Sequence, residues 1–283
     1  MNSLASDLEA ALAAEPVDLS EIALILGRLE SPCFDAAPVR RELRRLSEAA
    51  RAALADLGEA PVRSRIRAVN RVLYGPDGFD GARRSYDDIR NSLLHVVVER
   101  RIGLPITLAV VYITVARHAG LEVFGVSFPG HFLLRVPNDA GQENDLPIII
   151  DPFDRGREIT RPELEARLSE QVANAALTNE WLMPCTSRQI ALRMLNNMKR
   201  LYVGQRSFEQ AWRATDMLVA LEGGAEHLRD RGLLAYHIDR YPEALADLEI
   251  YVRMSQDEPG SVSERVEIWD HISSLRHRIA GLN

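Results

Sequence analysis

The sequence predicts an α+β fold, in which a buried central helix packs on a small antiparallel sheet, with helices before it and a domain of helical repeats after it. Three observations predict this class. The segment "LPITLAVVYITVARHAG" has almost no polar residue between two helix-end signals. Three short β-rich runs, "LEVFGVSF", "HFLLRV" and "LPIIID", follow it. After the last run the chain returns to helical periodicity and keeps it, which separates the sheet from the repeats along the chain.

Composition bounds the class of protein. The chain has 283 residues, enough for two domains of ordinary size. Hydrophobic residues make up 46% and charged residues 27%, as in a typical globular protein. No apolar run approaches the ~18 residues that a membrane-spanning helix needs. The N-terminal segment "MNSLASDLEAALAAEPVDLSE" lacks the basic start of a signal peptide, so we expect a cytoplasmic protein that does not bind membranes.

The charge and the cysteines exclude two further classes. A formal net charge of -7 argues against nucleic acid as the partner. One stretch departs from this balance, since nine arginines and four acidic residues lie between Val39 and Arg71. That stretch could contact an anionic partner, although a solvated helix face is its commoner role. Cys33 and Cys185 are too few for a zinc site of paired cysteines, and we expect both to be reduced.

The elements before the central helix are predicted to be short helices. Apolar residues recur at helical spacing from Ser3 to about Leu57, and prolines interrupt the pattern at positions 16, 32 and 38. A helix over 64–74 follows and ends in the loop "GPDGFDG". The segment "SYDDIRNSLLHVVVERR" then predicts a helix that runs to Arg101, with Asn91 and Ser92 as its capping residues.

The central helix is predicted from its ends rather than from its residue propensities. Pro105 fits the first position of a helix, and Gly120 fits the left-handed residue that ends one. A helix with almost no polar face must be surrounded by other elements. Its β-branched residues would by themselves suit a strand; they are Ile106, Thr107, Val110, Val111, Ile113, Thr114 and Val115.

The C-terminal part contains an internal repeat. A shift of 33 positions places "RYPEALADLEIYV" on the segment that begins "RSFEQAWRATDML", so that Tyr241 falls on Phe208 and Ala244 on Ala211. The pattern resembles tetratricopeptide repeats, whose period is about 34 residues and in which small residues allow paired helices to cross closely. Gly232 in "RGLLAY" is the expected crossing point.

A histidine and an aspartate are predicted to meet on the sheet. If "HFLLRV" and "LPIIID" form an antiparallel pair, the apolar alternation places Val136 opposite Leu146, and His131 then lies opposite Asp151. The Cβ atoms of such pairs are about 4.5–5.5 Å apart. At that distance a carboxylate can fix the orientation and the tautomer of an imidazole.

With a buried helix, a histidine and an aspartate in this order, the sequence resembles transglutaminase-like domains, relatives of the papain-like cysteine proteases. The resemblance implies a nucleophilic cysteine in the first turn of the helix, a histidine that deprotonates it and an aspartate that orients the histidine. The helix from Pro105, "GHFLL" and "IIIDPF" match these three parts.

A closer resemblance covers nearly the whole chain. The segment "RNSLLHVVVERRIGLPITLAVVYITVARHAGLEVFGVSFPGHFLLRV", together with the downstream "RDRGLLAY", is similar to a bacterial family of transglutaminase-like proteins with a tetratricopeptide tail. It implies a transglutaminase-like domain with a helical N-terminal part over residues 1–183 and a repeat domain over residues 184–283.

The nucleophile that the resemblance implies is missing. Its expected position falls between Pro105 and Thr107, and no cysteine occurs between Cys33 and Cys185. Thr107 has the only hydroxyl group of the first turn. An alcohol stays protonated unless a base removes its proton, so Thr107 is a candidate remnant of a triad with His131 and Asp151.

Three interpretations of the pair stay open. The one we favour is a protein that has lost or altered its catalysis and acts by binding a protein or peptide at the repeats or at a cleft near His131. Regulation is a role open to such a protein. The alternative is a hydrolase or acyl transferase in which Thr107 or Cys33 is the nucleophile. A metal site that adds His118 or Asp154 has no supporting motif. No cofactor is predicted, and the oligomeric state cannot be read from the sequence.

Overall fold

The computed structural model describes residues 3–138, 147–255 and 262–282. The chain divides into two compact units, Ser6–Met194 and Leu195–Asn283 with Met1–Ala5. One division lies inside the helix Ser187–Gly204 and the other inside the helix Ser3–Ala13. The domain limits expected from the sequence, 1–183 and 184–283, fall in the loop before Ser187 and stay a prediction. In the part of the chain that the structure describes, no helix is long and apolar enough to cross a membrane.

Short helices fill the chain before the sheet, as the proline spacing predicted. Asp18 begins the second helix by accepting a hydrogen bond from the Ser20 amide at 2.8 Å, and Pro38 lies in the first turn of the third helix, where a proline is tolerated. Before the sheet the bounds are α1 Ser3–Ala13, α2 Leu19–Gly27, α3 Ala37–Ala55, α4 Val62–Tyr74, α5 Leu94–Arg100 and α6 Pro105–His118. After the sheet come α7 Arg161–Gln171 and α8 Ser187–Gly204.

The central helix α6 is confirmed. Pro105 is its first residue, and Gly120, two residues beyond its last, has a φ of +89°. All its residues from Pro105 to Ala116 are buried. It packs against the helices α2, α3 and α5 and against the strand that follows His131. Burial on every side outweighs the strand preference of its β-branched residues, because each buried aliphatic side chain contributes about 1.5–3 kcal/mol.

The segment before α6 differs from the predicted continuous helix. Residues Ile89–Ser92 form a 3₁₀ turn, Leu93 is extended, and α5 begins only at Leu94. The Asp88 carboxylate accepts a hydrogen bond from the Arg90 amide at 3.0 Å and starts the turn early. Asn91 and Ser92 therefore do not cap α5. Two short strands before and after this region, β1 (Asp80–Gly81) and β2 (Ile102–Gly103), form a parallel pair. The sequence did not predict this pair.

The sheet is antiparallel, with strands in the order β3-β4-β5-β6. They are Phe124–Val126, Leu133–Val136, Ile148–Asp151 and Arg157–Glu158. The predicted register was wrong by two residues, since Val136 pairs with Ile148 rather than with Leu146, which lies outside the described residues. Side chains alternate with a period of two along a strand, so a shift of two keeps each residue on its predicted face.

The sheet packs on α7 through an apolar cluster. Strand residues Val126, Leu133 and Ile149 contact Leu164 and Leu168 of α7, and all five are buried. A capping box starts α7, in which the amide and the hydroxyl of Thr160 both donate to Glu163 at 2.8 and 2.7 Å. The sheet therefore lies between α6 and α7.

The second unit consists of helices. These are α9 Phe208–Leu221, α10 Ala225–His237, α11 Tyr241–Met254 and α12 Val262–Leu282, after the end of α8. The residues that the 33-residue shift superimposes, Phe208 and Tyr241, both begin a helix, so the repeat is confirmed. A Cβ atom added to Gly232 would lie 2.9 Å from the Leu248 side chain and 3.2 Å from the Ala244 carbonyl oxygen, which explains why glycine stands where α10 crosses α11.

Candidate functional site

The site centres on a hydrogen-bonded histidine and aspartate at neighbouring strand ends. His131 stands shortly before β4, and Asp151 is the last residue of β5. The contact between these two side chains that the sequence predicted is present, because His131 Nε2 lies 2.9 Å from Asp151 Oδ1. The Asp151 side chain is 2% exposed and that of His131 is 19% exposed. The aspartate is thus sealed in the protein, while the histidine reaches the surface.

Three donors hold the Asp151 carboxylate. Besides His131, the Phe153 amide donates to Oδ1 at 2.9 Å, and Arg167 Nη1 on α7 donates to Oδ2 at 2.9 Å. Burial acts to raise the pKa of Asp151, but the hydrogen bonds and charges of His131 and Arg167 together outweigh it and lower that pKa below its ordinary value. The carboxylate is therefore charged at neutral pH and can orient the imidazole.

The second ring nitrogen of the histidine is left for another group. In the neutral ring Nε2 carries the proton that it donates to Asp151, so Nδ1 has the free lone pair. Nδ1 makes no hydrogen bond within the described ranges of the chain. The edge of the ring meets Phe153, with centroids 5.8 Å apart, and Phe153 in turn meets Tyr86 at 6.0 Å. Tyr86 is 39% exposed, so this aromatic path leads from the histidine to the surface.

A turn places His131 and an arginine fixes that turn. Gly130 has a φ of +68°, a conformation that other residues rarely adopt, and the His131 amide donates to the Phe128 carbonyl at 3.1 Å. Arg193 Nη2 donates to the carbonyl oxygens of His131 and Phe128 at 2.6 and 3.2 Å. The geometry of this turn therefore explains the "PGH" motif, and the Arg193 side chain of α8 stabilises the turn through these hydrogen bonds.

The segment after Asp151 is anchored to two helices. The Tyr74 hydroxyl of α4 donates to the Pro152 carbonyl at 3.2 Å. The Asn70 side chain donates to the Gly156 carbonyl at 2.8 Å and accepts from the Tyr112 hydroxyl of α6 at 3.0 Å. These bonds fix the backbone on both sides of the turn that begins with Asp151.

Thr107 lies in the first turn of α6 and is fully buried. Its Oγ1 has no hydrogen-bond partner among the described residues, so it does not hydrogen-bond to His131. The helix that carries it packs against the 3₁₀ turn Pro152–Asp154, next to Asp151. The structure thus places Thr107 on the element beside the pair but does not join their side chains by a hydrogen bond.

The two cysteines lie elsewhere. Cys33 is an exposed free thiol between α2 and α3, next to Phe34, whose ring stacks on His95 at 4.1 Å. No contact of the described residues joins Cys33 to His131. Cys185 is half-buried before α8, and burial raises the pKa of its thiol although the Ser127 amide and Arg193 act to lower it.

The two residues considered as additional metal ligands, His118 and Asp154, bind different partners. His118 Nδ1 donates to the Thr114 carbonyl of its own helix at 2.7 Å. Asp154 pairs with Arg83 at 2.9 Å and with Arg157 at 2.7 Å. No group of three or more histidine, cysteine or acidic side chains suited to a metal occurs in the described part of the chain.

Three residues that complete the site were not predicted from the sequence. Arg167, Arg193 and Phe153 come from three separate segments and contact the pair only after folding. One signal was available for Arg167, because it stands three positions after the buried Leu164 of α7, a spacing that places two side chains on the same side of a helix.

Comparison with known protein families agrees with this arrangement. Residues 37–196 match the model of the transglutaminase-like superfamily, and residues 198–267 match that of the tetratricopeptide repeat. The first match contains Thr107, His131, Asp151, Arg167 and Arg193. The second covers α9, α10 and α11.

Related proteins share most of the chain. A "UPF0162 protein" of Xylella fastidiosa (strain Temecula1) is 35% identical over 245 residues, which are 85% of this chain and 85% of the relative. A "UPF0162 protein" of Vibrio cholerae is 28% identical over 249 residues, 87% of this chain and 90% of the relative. "F-box only protein 21" of Homo sapiens is 31% identical over 207 residues, 68% of this chain and 32% of that protein.

Proposed function

Because the chain belongs to the transglutaminase-like superfamily and continues into tetratricopeptide repeats, we propose that it is a binding protein of that superfamily whose catalysis is lost or altered. Tetratricopeptide repeats generally mediate protein interactions. The proposed partner is a protein or peptide that binds the repeats or the cleft beside His131, and the proposed role is regulatory. A cytoplasmic location is part of the proposal.

One observation carries this function. The His131–Asp151 pair is intact, yet the hydroxyl at the expected nucleophile position makes no hydrogen bond to it. A histidine can activate a nucleophile only if the two come within hydrogen-bond reach. The full engagement of Asp151 with Arg167 and the Phe153 amide supports a second use of the pair, namely to tie the ends of β4 and β5 to α7.

The aromatic path supports binding at the same place. Tyr86 and Phe153 lie edge to face, and the Arg83 guanidinium stands 5.3 Å from the centre of the Phe153 ring. Exposed aromatic rings with a neighbouring arginine are typical of protein recognition surfaces. We therefore place the peptide contact on Tyr86 and Phe153, beside the free Nδ1 of His131.

The experiment separates binding from catalysis. A photo-reactive benzoylphenylalanine replaces Tyr86 in the full chain, and the same residue at Met183, which is 58% exposed in the first unit and belongs neither to the Tyr86 contact nor to the repeats, is the matched control. We expect a defined cross-linked protein at position 86 that the control does not give. Peptide hydrolysis and acyl transfer should equal a protein-free blank in both wild type and His131→Ala. An activity that the wild type shows and His131→Ala lacks would contradict the proposal.

A second candidate function, a hydrolase or acyl transferase, is favoured by the fixed tautomer of His131. Its Nδ1 is held ready to accept a proton, and Thr107 stands at a helix N-terminus, where the helix dipole stabilises a developing negative charge. Cys33 has no comparable neighbour among the described residues.

Thr107→Cys in a Cys33→Ser, Cys185→Ser background tests this candidate. If residue 107 occupies the nucleophile position, the new thiol should react with iodoacetamide at a pH below the ordinary thiol pKa of about 8.5, and His131→Ala should remove that advantage. Ala109→Cys is the matched control, because Ala109 lies on the same helix, is fully buried and lines neither of the cavities described below. A thiol at 107 as unreactive as one at 109 would exclude the candidate.

A further inference from the structure

An open cleft lies where α2 and α3 face the C-terminal end of α6. It consists of two adjoining cavities of about 240 and 470 Å³, which share Asp18, Thr114 and His118 in their walls. Together they fall in the size range of small-molecule sites, roughly 300–1,000 Å³. Neither cavity is lined by His131, Asp151 or Thr107, so this cleft is separate from the proposed peptide contact.

The smaller cavity contains cationic side chains from the arginine-rich stretch of the sequence. Arg40 is neutralised by Glu21, to which it donates two hydrogen bonds at 2.6 and 2.7 Å. Arg44 and Arg51 line the same cavity and make no ion pair or hydrogen bond with any described residue. They are seven positions apart on α3, which puts them on one face about 10 Å apart along the axis. Long arginine side chains can converge on one anion from that spacing.

The wall of this cavity has as many carboxylates as guanidinium groups, Asp18, Glu21 and Glu48 against Arg40, Arg44 and Arg51, so its formal charges balance. Glu48 lies between the two arginines on α3 and is also unpaired within the described ranges. Asp18 is engaged with the amide and hydroxyl of Ser20 at 2.8 and 2.6 Å. Because Arg44 and Arg51 are the arginines of this wall without a partner in the described part, a ligand with a single anionic group fits better than a polyanion such as nucleic acid, which would meet the carboxylates as well.

The larger cavity is walled mainly by apolar side chains. Pro16, Val17, Leu19 and Ile113 line it, with the stem of Arg117. At the wall common to both cavities, His118 uses Nδ1 to bind the Thr114 carbonyl, which leaves Nε2 for a ligand. An apolar chamber thus adjoins one that contains Arg44 and Arg51, with polar groups at the junction.

We propose that this cleft binds a small amphipathic organic anion, a carboxylate or phosphate monoester with an aromatic or branched apolar group. The anionic group lies between Arg44 and Arg51, and the apolar group fills the chamber beside Val17 and Ile113. The guanidinium groups of arginine suit both carboxylate and phosphate oxygens, to which they donate paired hydrogen bonds.

The binding test uses 1-anilinonaphthalene-8-sulfonate, which combines an aromatic body with one anionic group and fluoresces in apolar surroundings. We expect Arg44→Gln with Arg51→Gln to weaken its binding to the full chain about 10- to 100-fold, because charge-assisted hydrogen bonds are lost. Arg41→Gln with Arg84→Gln removes the same charge from exposed residues that line neither cavity and should leave the affinity unchanged. Val17→Trp should abolish binding by filling the apolar chamber.

A second measurement locates the probe and identifies the anion. The δ-methyl NMR signal of Ile113 should shift on addition of the probe, whereas that of Ile268, buried in the second unit, should not. Displacement by phenyl phosphate alone indicates a phosphate monoester, and displacement by hexanoate alone a carboxylate. The proposal is overturned if the Arg44, Arg51 double variant binds the probe as tightly as the wild type does. It is also overturned if the Ile113 signal does not shift, or if neither competitor displaces the probe.

Discussion

Asp151 is the residue that connects stability to function in this protein. Its carboxylate is 2% exposed and accepts hydrogen bonds from the histidine ring, a backbone amide and the Arg167 guanidinium. A buried charge without partners costs several kcal/mol, and here every donor comes from a different element. The same bonds that offset this cost also hold His131 with Nδ1 free. Stability and site geometry therefore depend on one side chain.

Asp151→Asn tests that dependence. The substitution leaves Arg167 without its carboxylate, and we expect the free energy of unfolding at pH 7 to fall by about 2–4 kcal/mol. The folded pKa of Asp151 is lowered, so the carboxylate's contribution is fully present above its unfolded pKa of about 3.9 and is lost as the pH falls through the folded pKa. The difference between wild type and variant should narrow below about pH 4.

Urea unfolding monitored by Trp181 in a Trp212→Phe, Trp269→Phe background measures this effect in the first unit. Asp154→Asn is the matched control, since Asp154 lies three residues away and its side chain is 40% exposed in surface ion pairs; it should change stability by at most about 1 kcal/mol. If the two variants lose equal stability, or if the Asp151→Asn difference does not narrow in acid, the carboxylate does not have this role.

At the scale of elements, the sequence predicted those whose ends have their own signals. Helix α6 was found from Pro105 and Gly120 despite its β-branched residues, and the repeat helices from their 33-residue period. The register of β4 and β5 was missed by two residues, because alternation fixes which face a residue lies on but not its position along the strand. His131 and Asp151 are nevertheless in contact, because an error of two residues in the register leaves both side chains on the predicted face of the sheet.

The elements and contacts that the sequence did not reveal depend on long-range pairing. The 3₁₀ turn Ile89–Ser92 sits against β2 and α6, and the two-residue strands β1 and β2 pair across twenty residues of chain that show no strand pattern. Arg167 and Arg193 reach the site from α7 and α8. Local periodicity carries no information about such partners, so half of the site became visible only in the folded chain.

At the scale of the whole molecule, the two compact units should unfold as separate transitions. Gly232→Val would force side-chain atoms into the Leu248 contact at 2.9 Å and should destabilise the second unit by about 1–3 kcal/mol. Gly204→Val is its control, because a Cβ atom there meets nothing within 4 Å. Urea unfolding is followed by Trp181 for the first unit and, in a Trp181→Phe background, by Trp212 and Trp269 for the second.

We expect Gly232→Val to shift the second transition and Asp151→Asn the first, with the double variant additive to within about 0.5 kcal/mol. The physical reason is that each substitution alters contacts inside its own unit, around α10 and α11 in one case and around the strand ends and α7 in the other. Helices α1 and α8 each have residues in both units, so a local loss of stability could spread along either helix. If either single variant moves both transitions by the same amount, the transglutaminase-like and repeat units form one cooperative block, and ligand binding at one would then change the stability of the other.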